Sequence, residues 1–141
     1  MAFYFIPYLN FDGTANAAFT LYQRVFNGKI TIKQTFGATE FGKSMPLEEQ
    51  EKIMHIALEI APGYTLMASD ILASNGQQLQ KGNNHYISLN ASSETEAHNW
   101  YQQLSEDGII EMKLQKTDWG ALFAIFTDRF GIQWMINYDY E

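Results

Sequence analysis

Ala18-Phe19-Thr20-Leu21-Tyr22-Gln23 and, about 79 residues further on, Ala97-His98-Asn99-Trp100-Tyr101-Gln102 read as two versions of one helical segment. Around the first, Ala15, Ala18, Phe19, Tyr22, Val25 and Phe26 stand at i, i+3, i+4, i+7, i+10 and i+11, the apolar stripe of an amphipathic helix. Asp12 is placed to cap its start, and Asn27–Gly28 to end it in a left-handed turn. Around the second, Ser93-Glu94-Thr95-Glu96 has the form of a capping box, Ala97, Trp100, Tyr101 and Leu104 share one face, and Asp107–Gly108 stops the helix.

Each helix is preceded by a strand pattern, Phe3–Phe11 and His85–Ala91. Each is followed by three more: Ile30–Phe36, Ile53–Ile60 and Tyr64–Ser69, then Ile109–Lys116, Ala121–Thr127 and Ile132–Tyr138. The period is too long for a solenoid repeat and implies duplication of a β-α-β-β-β unit. The expected organisation is one α+β domain over residues 1–141. It has a first βαβββ module at 1–70, a Gly-containing polar linker at 71–83 and a second module at 84–141.

Alternation assigns faces to the strands. Phe3, Phe5, Leu9 and Phe11 oppose Tyr4, Ile6, Tyr8 and Asn10; Met54, Ile56 and Leu58 oppose His55, Ala57 and Glu59. His85, Ile87 and Leu89 oppose Tyr86, Ser88 and Asn90; Ile132, Trp134 and Ile136 oppose Gln133, Met135 and Asn137. The apolar set suits packing beneath the helices, and the mixed polar and aromatic set has the chemistry of a cleft wall. Tyr8, His55, Met67, Tyr86, Ser88, Met135 and Asn137 are therefore expected to converge on one concave surface. Trp119, in a Gly-flanked turn, stands either at the mouth of that cleft or in the core.

Composition bounds the function classes. Hydrophobic residues make up 46% and charged residues 18%, a globular balance, and 15% aromatics is rich enough for core and cleft alike. The net charge of −7, with nine scattered basic residues, argues against a nucleic-acid partner. The absence of cysteine excludes disulfides, thiolate nucleophiles and Cys-ligated zinc. No apolar run is long enough for a membrane span, and the first residues have neither the basic start nor the cleavage site of a signal peptide, so a cytoplasmic location is expected.

With those residues in view, IPYLNFDG, AFTLYQRVFNG, KIMHIALEI, LMASD, GNNHYISLNA, LQKTDWG and FTDRFGIQWMIN together resemble the PhnB-like branch of the vicinal oxygen chelate superfamily. Glyoxalase I, extradiol dioxygenases and bleomycin-resistance proteins belong to that superfamily. The resemblance runs through nearly the whole chain in order. It implies paired βαβββ modules forming half-open mixed sheets around a cleft, and a two-fold homodimer, which would also cover exposed strand edges. In metal-dependent members a His or Glu stands at each of four strand positions. Carried over by the strand patterns, these fall at Ile6, Met67, Tyr86 and Met135, with His85 the one nearby candidate ligand. Such a set does not suit a divalent metal. No metal and no cofactor are therefore expected. A ubiquinone-precursor methyltransferase activity, sometimes ascribed to this branch, would need a Gly-rich loop opening a Rossmann-type helix, and the sequence offers none.

Gly37-Ala38-Thr39-Glu40-Phe41-Gly42-Lys43-Ser44 matches the phosphate-binding pattern G-x-x-x-x-G-K-[ST], but Pro46 disfavours the helix that must open at Lys43, and Leu47-Glu48-Glu49-Gln50-Glu51-Lys52 adds negative charge. The segment reads as a loop between strands. His55 is a candidate general base set against a plain hydrogen-bonded histidine, with no carboxylate at strand-neighbour spacing to pair with it. Asp70 reads as a turn cap, with closure of a pocket as its alternative, His98 as solvent-facing and Trp134 as core. The favoured function is a metal-free small-molecule-binding protein. The alternative is a metal-independent enzyme using His55-type acid–base chemistry, and after it a metal-dependent lyase or dioxygenase.

Overall fold

The structure, a computed structural model, describes residues 3–140. It divides into two compact units, the first ending at Gln80 and the second beginning at Lys81. In the first, β1 (Tyr8–Phe11), α1 (Ala15–Phe26) and β2 (Lys29–Thr35) are followed by two 3₁₀ turns and the short α2 (Leu47–Gln50), then β3 (Ile53–Ala61) and β4 (Tyr64–Asp70). The sheet order is β1-β4-β3-β2; β1 runs parallel to β4, and the other pairs are antiparallel. The second unit contains β5 (Ile87–Asn90), α3 (Glu94–Ser105), β6 (Ile109–Lys116), β7 (Ala121–Thr127) and β8 (Gln133–Asp139), ordered β5-β8-β7-β6 with β5 parallel to β8. The duplicated βαβββ design expected from the paired helices is thus the observed fold: α+β, with two four-stranded mixed sheets. A parallel pair cannot be closed by a tight turn, so the first strand of each unit reaches the last only after the chain has crossed through helix and hairpin.

Each sheet buries one face under its helix. Ala15, Ala18, Phe19, Tyr22 and Val25 of α1 are buried, as are Phe11, Ile56, Leu58, Leu66 and Ala68 of the strands. Phe19 packs edge-on to Phe11 at 6.4 Å between centroids. In the second unit α3 lies on β6, β7 and β8, with Ala97 and Leu104 buried and Tyr101 edge-on to Phe126 at 5.7 Å. Trp134 is fully buried as its alternation requires, its indole N–H donating to Asp128 Oδ2 at 2.8 Å. His98 is exposed, as expected.

Several expectations are corrected. The first strand begins at Tyr8 rather than Phe3, and Phe3 and Phe5 are 87% and 94% exposed instead of lying under α1. Pro7 is the physical reason: its carbonyl accepts from Met67 N at 3.0 Å, but it has no N–H to carry the ladder further. The fifth strand likewise covers only Ile87–Asn90, leaving His85 exposed. Asp12 does not cap α1; it lies 3.9 Å from Lys52 Nζ. Asn27 does end the helix in the left-handed conformation, at φ 52°. At α3, Ser93 Oγ accepts from Glu96 N at 3.1 Å, while the Glu96 carboxylate reaches back one residue further than a simple capping box, to Ser92 N and Oγ at 2.8 and 2.9 Å. The segment expected as a linker begins inside the first unit, where Ile71 and Leu72 are buried.

Asp70 is the largest revision. Expected as a turn cap, it is 4% exposed, and its carboxylate accepts from Ala15 N at 3.0 Å and Ile53 N at 2.8 Å. It thereby satisfies a free amide at the start of α1 and the first amide of β3. Replacing Asp70 with Ala leaves both donors buried and unpaired, a loss of about 2–4 kcal/mol. Urea denaturation should show the midpoint fall with an unchanged slope; an unmoved midpoint would mean that water substitutes for the carboxylate.

Candidate functional site

Strand pairing fixes which side chains share the face away from each helix. In the first unit one row runs Tyr8–Met67–Ala57–Ile32 across β1, β4, β3 and β2, and the neighbouring register sets Asn10 opposite Ser69 and Gln34 opposite His55. Along β4, half-buried Met67 and Ser69 alternate with buried Leu66, Ala68 and Asp70, which puts Met67 and Ser69 on the less buried face of that strand. Tyr8, His55 and Met67, all expected as site residues, therefore occupy one open face.

The first unit's centre is a tyrosine–histidine pair. Tyr8 Oη lies 2.9 Å from His55 Nδ1, and the two rings stack at 5.7 Å with an interplanar angle of 20°. With Tyr8 donating, Nδ1 accepts and Nε2 carries the proton; with the other tautomer, Nδ1 donates and Nε2 is a free base. The pair offers a ligand either a donor or an acceptor at Nε2. The carboxylate that would complete an acid–base constellation has no counterpart in these rows.

The second unit repeats the rows with different chemistry. Ser88–Met135–Ile125–Met112 cross β5, β8, β7 and β6, beside Asn90–Asn137–Phe123–Gln115. Asn137 Nδ2 donates to Asn90 Oδ1 at 3.2 Å and to Asp139 Oδ1 at 3.0 Å. Ser88, Met135 and Asn137 thus share this face. Trp119 is 67% exposed in the β6–β7 turn and stands edge-on to Phe123 at 5.8 Å, so of its two readings the core is excluded.

Tyr86 Oη donates to Glu111 Oε1 at 3.0 Å, linking the residue before one edge strand to the opposite edge strand. Glu111 sits where β6 slips register between Ile110↔Phe126 and Met112↔Ile125, a bulge that re-aims side chains. Sequence reasoning missed Glu111, because a bulge breaks the alternation on which faces are read. It also missed Phe123 and Ile125, because Ala121-Leu122-Phe123-Ala124-Ile125-Phe126 is apolar at both parities.

Ile6, Met67, Tyr86 and Met135, the positions that metal-dependent relatives would fill with His or Glu, present an alkyl group, two thioethers and a phenol held by a carboxylate. That donor set does not fit a hard or borderline divalent ion. Among the described residues no three His, Cys, Asp or Glu side chains are grouped to hold a metal. The phosphate-loop pattern is equally unsuited to its ligand. Pro46 separates Lys43 from the four-residue α2, Lys43 is paired with Glu40 at 3.0 Å, and the neighbouring depression of about 620 Å³ is lined by Glu48 and Glu51. Gly42 is required for a different reason: a Cβ there would overlap the Phe36 carbonyl.

Residues 7–136 match the Glyoxalase/Bleomycin resistance protein/Dioxygenase superfamily. The chain belongs to that superfamily. Protein YjdN of Escherichia coli (strain K12) is 33% identical over 139 residues, covering 93% of this chain and 92% of that protein. The crystal structure of protein PA1353 from Pseudomonas aeruginosa superposes with a TM-score of 0.86 at 34% identity, over 98% of both chains. A PhnB protein from Bacillus cereus, described as a putative 3-demethylubiquinone-9 3-methyltransferase, superposes with a TM-score of 0.78 at 18% identity, over 95% of this chain and 98% of that one. The last likeness is one of fold.

Tyr86 gives this face a measurable signature. Its hydrogen bond to Glu111, then partial desolvation and the carboxylate's charge, raise the phenol above its ordinary value of 10.0. Because the bond stabilises the protonated form, Tyr86 should ionise at higher pH than an exposed tyrosine. Glu111→Ala, which removes the acceptor and the charge together, should bring it back down, as followed by ring-carbon NMR; equal titration in both proteins would mean that the bond does not form in solution.

Proposed function

We propose that this glyoxalase-superfamily chain is a metal-free small-molecule-binding protein, comparable to the sequestering resistance proteins of its superfamily. The observation that carries the reading is the filling of the open faces. Met67 and Met135 stand at the centres of the two rows, where thioethers supply polarizable contact surface, and each is flanked by a few fixed polar groups. His55, Ser88 and Asn137 orient a ligand; Tyr8, Tyr86 and Trp119 contribute rings. A cytoplasmic location belongs to the same proposal. So does a homodimer, supported by Phe3, Tyr4 and Phe5, three consecutive exposed aromatic side chains that a second copy would cover.

A second reading draws on the Tyr8–His55 pair. A histidine held by a phenol, with Nε2 free to act as a base, would serve a metal-independent enzyme. The small-molecule-binding reading is favoured because, beyond the Tyr8 phenol, the rows supply no hydroxyl hydrogen-bonded to that histidine and no carboxylate partner for it.

Saturation-transfer NMR with a panel of small aromatic compounds tests the proposal. Hits are expected, and Tyr86→Ala should weaken those on the second unit by about ten-fold or more, the scale of one lost aromatic contact. Elemental analysis should find no stoichiometric Zn, Ni, Fe or Mn; one tightly bound ion per chain would overturn the metal-free reading. Light scattering should give about twice the 16.2 kDa chain mass, and a monomer at micromolar concentration would remove the dimer from the proposal.

A further inference from the structure

We propose that the open face of the second unit selects an organic cation: a protonated amine on the Glu111 carboxylate, with its apolar or aromatic part along Ile125, Met135 and Phe123. This rests on the small-molecule reading above and narrows it to a ligand class.

Glu111 is the charge that the rest of the face does not answer. Its Oε1 accepts from Tyr86, while among the described residues no hydrogen bond reaches Oε2 and no cationic side chain lies within ion-pair distance. The rows beside it hold Met112, Ile125, Met135, Ser88, Phe123, Asn137, Asn90 and Gln115, with no Lys, Arg or His. A ligand that covers this face also removes water from the carboxylate. A neutral ligand then leaves a desolvated charge unpaired, and an anion adds repulsion. An ammonium group supplies the opposite charge, and its N–H groups replace the water that the exposed Oε2 gives up when the face is covered.

The surroundings fit the rest of such a molecule. Thioether and aliphatic side chains give dispersion contacts, and the faces of Phe123 and Trp119 attract cations as well as stack on rings. Ile125 and Phe123 stand two residues apart on one strand, about 7 Å along its axis, which sets the separation between an amine near Glu111 and a ring over Phe123. Tyr86 is a positioning residue here: by occupying Oε1 it fixes the carboxylate with Oε2 open. The chain's net charge of −7 favours the approach of cations over anions.

The test compares 4-phenylbutylamine with 4-phenylbutyrate, near-isosteres of opposite charge, by titrating the full chain at neutral pH and following the methyl signals of Met112, Met135 and Met67. The amine should shift Met112 and Met135 with an affinity at least about ten-fold above that of the acid. Glu111→Gln, an isosteric change at an exposed position, should bring the two within about three-fold without altering Tm. Equal binding of both compounds at Met112 and Met135, unchanged in Glu111→Gln, overturns the charge selection and leaves the small-molecule face standing. Amine shifts confined to Met67, or insensitive to Glu111→Gln, overturn the assignment to this face. No methyl shift with either compound at millimolar concentration overturns the proposal and the binding reading beneath it.

Discussion

A single buried carboxylate organises the first unit. Asp70 closes β4, whose backbone lies beside β1; one of its oxygens holds the first amide of α1 and the other the first amide of β3. Two elements from the start of the unit and two from its end thus meet at one side chain. The geometry is costly to lose because a buried amide has few alternative partners once water is excluded. It also explains why α1 lies flat on β3 and β4 although Thr14 makes no side-chain cap and Asp12 turns away to Lys52. The capping function has passed from the local residue to a distant one.

The second unit reaches the same topology with a different anchor. Asp128 follows β7, and its carboxylate accepts from Phe130 N, Ile132 N and the Trp134 indole, so it fixes the turn into β8 and the largest core side chain together. In α3 the cap is local, through Ser93 and Glu96. The duplicated fold therefore does not depend on a duplicated set of polar anchors. What both halves preserve is the apolar face under the helix and the parallel pairing of first strand with last. Polar staples can differ because each need only satisfy whichever buried amides its own unit leaves unpaired.

Much of this was legible in the residues. The stripes of α1 and α3, the eight strand runs and the burial of Trp134 follow from periodicity, because a side chain's face is set by its spacing wherever the backbone is regular. The open-face positions of Tyr8, His55, Met67, Ser88, Met135 and Asn137 came from the same logic. Legibility failed where regularity fails. Pro7 ended a strand whose aromatic alternation continued to Phe3, because alternation cannot register a missing N–H. The β6 bulge hid Glu111, and the uniformly apolar β7 hid Phe123 and Ile125. Asp70 escaped because its partners lie 55 and 17 residues away, and no local pattern encodes so distant an acceptor.

On the metal-free reading proposed above, the two open faces illustrate what duplication permits. A divalent ion would impose one chemistry on all four positions, since each ligand must be hard, charged or imidazole, and correctly aimed. On that reading Ile6, Met67, Tyr86 and Met135 stand in those places, the constraint falls away, and the halves are free to diverge. The first presents a phenol and an imidazole that stack and hydrogen-bond at 2.9 Å; the second presents a phenol tied to a carboxylate at 3.0 Å, beside the row that holds Met112, Ile125 and Met135. In each unit a tyrosine hydroxyl meets a titratable group across strands, but one partner is a base that offers its second nitrogen and the other an acid that offers its second oxygen. The common backbone thus sets where a polar pair stands, and the identity of the tyrosine's partner sets the charge that the face presents.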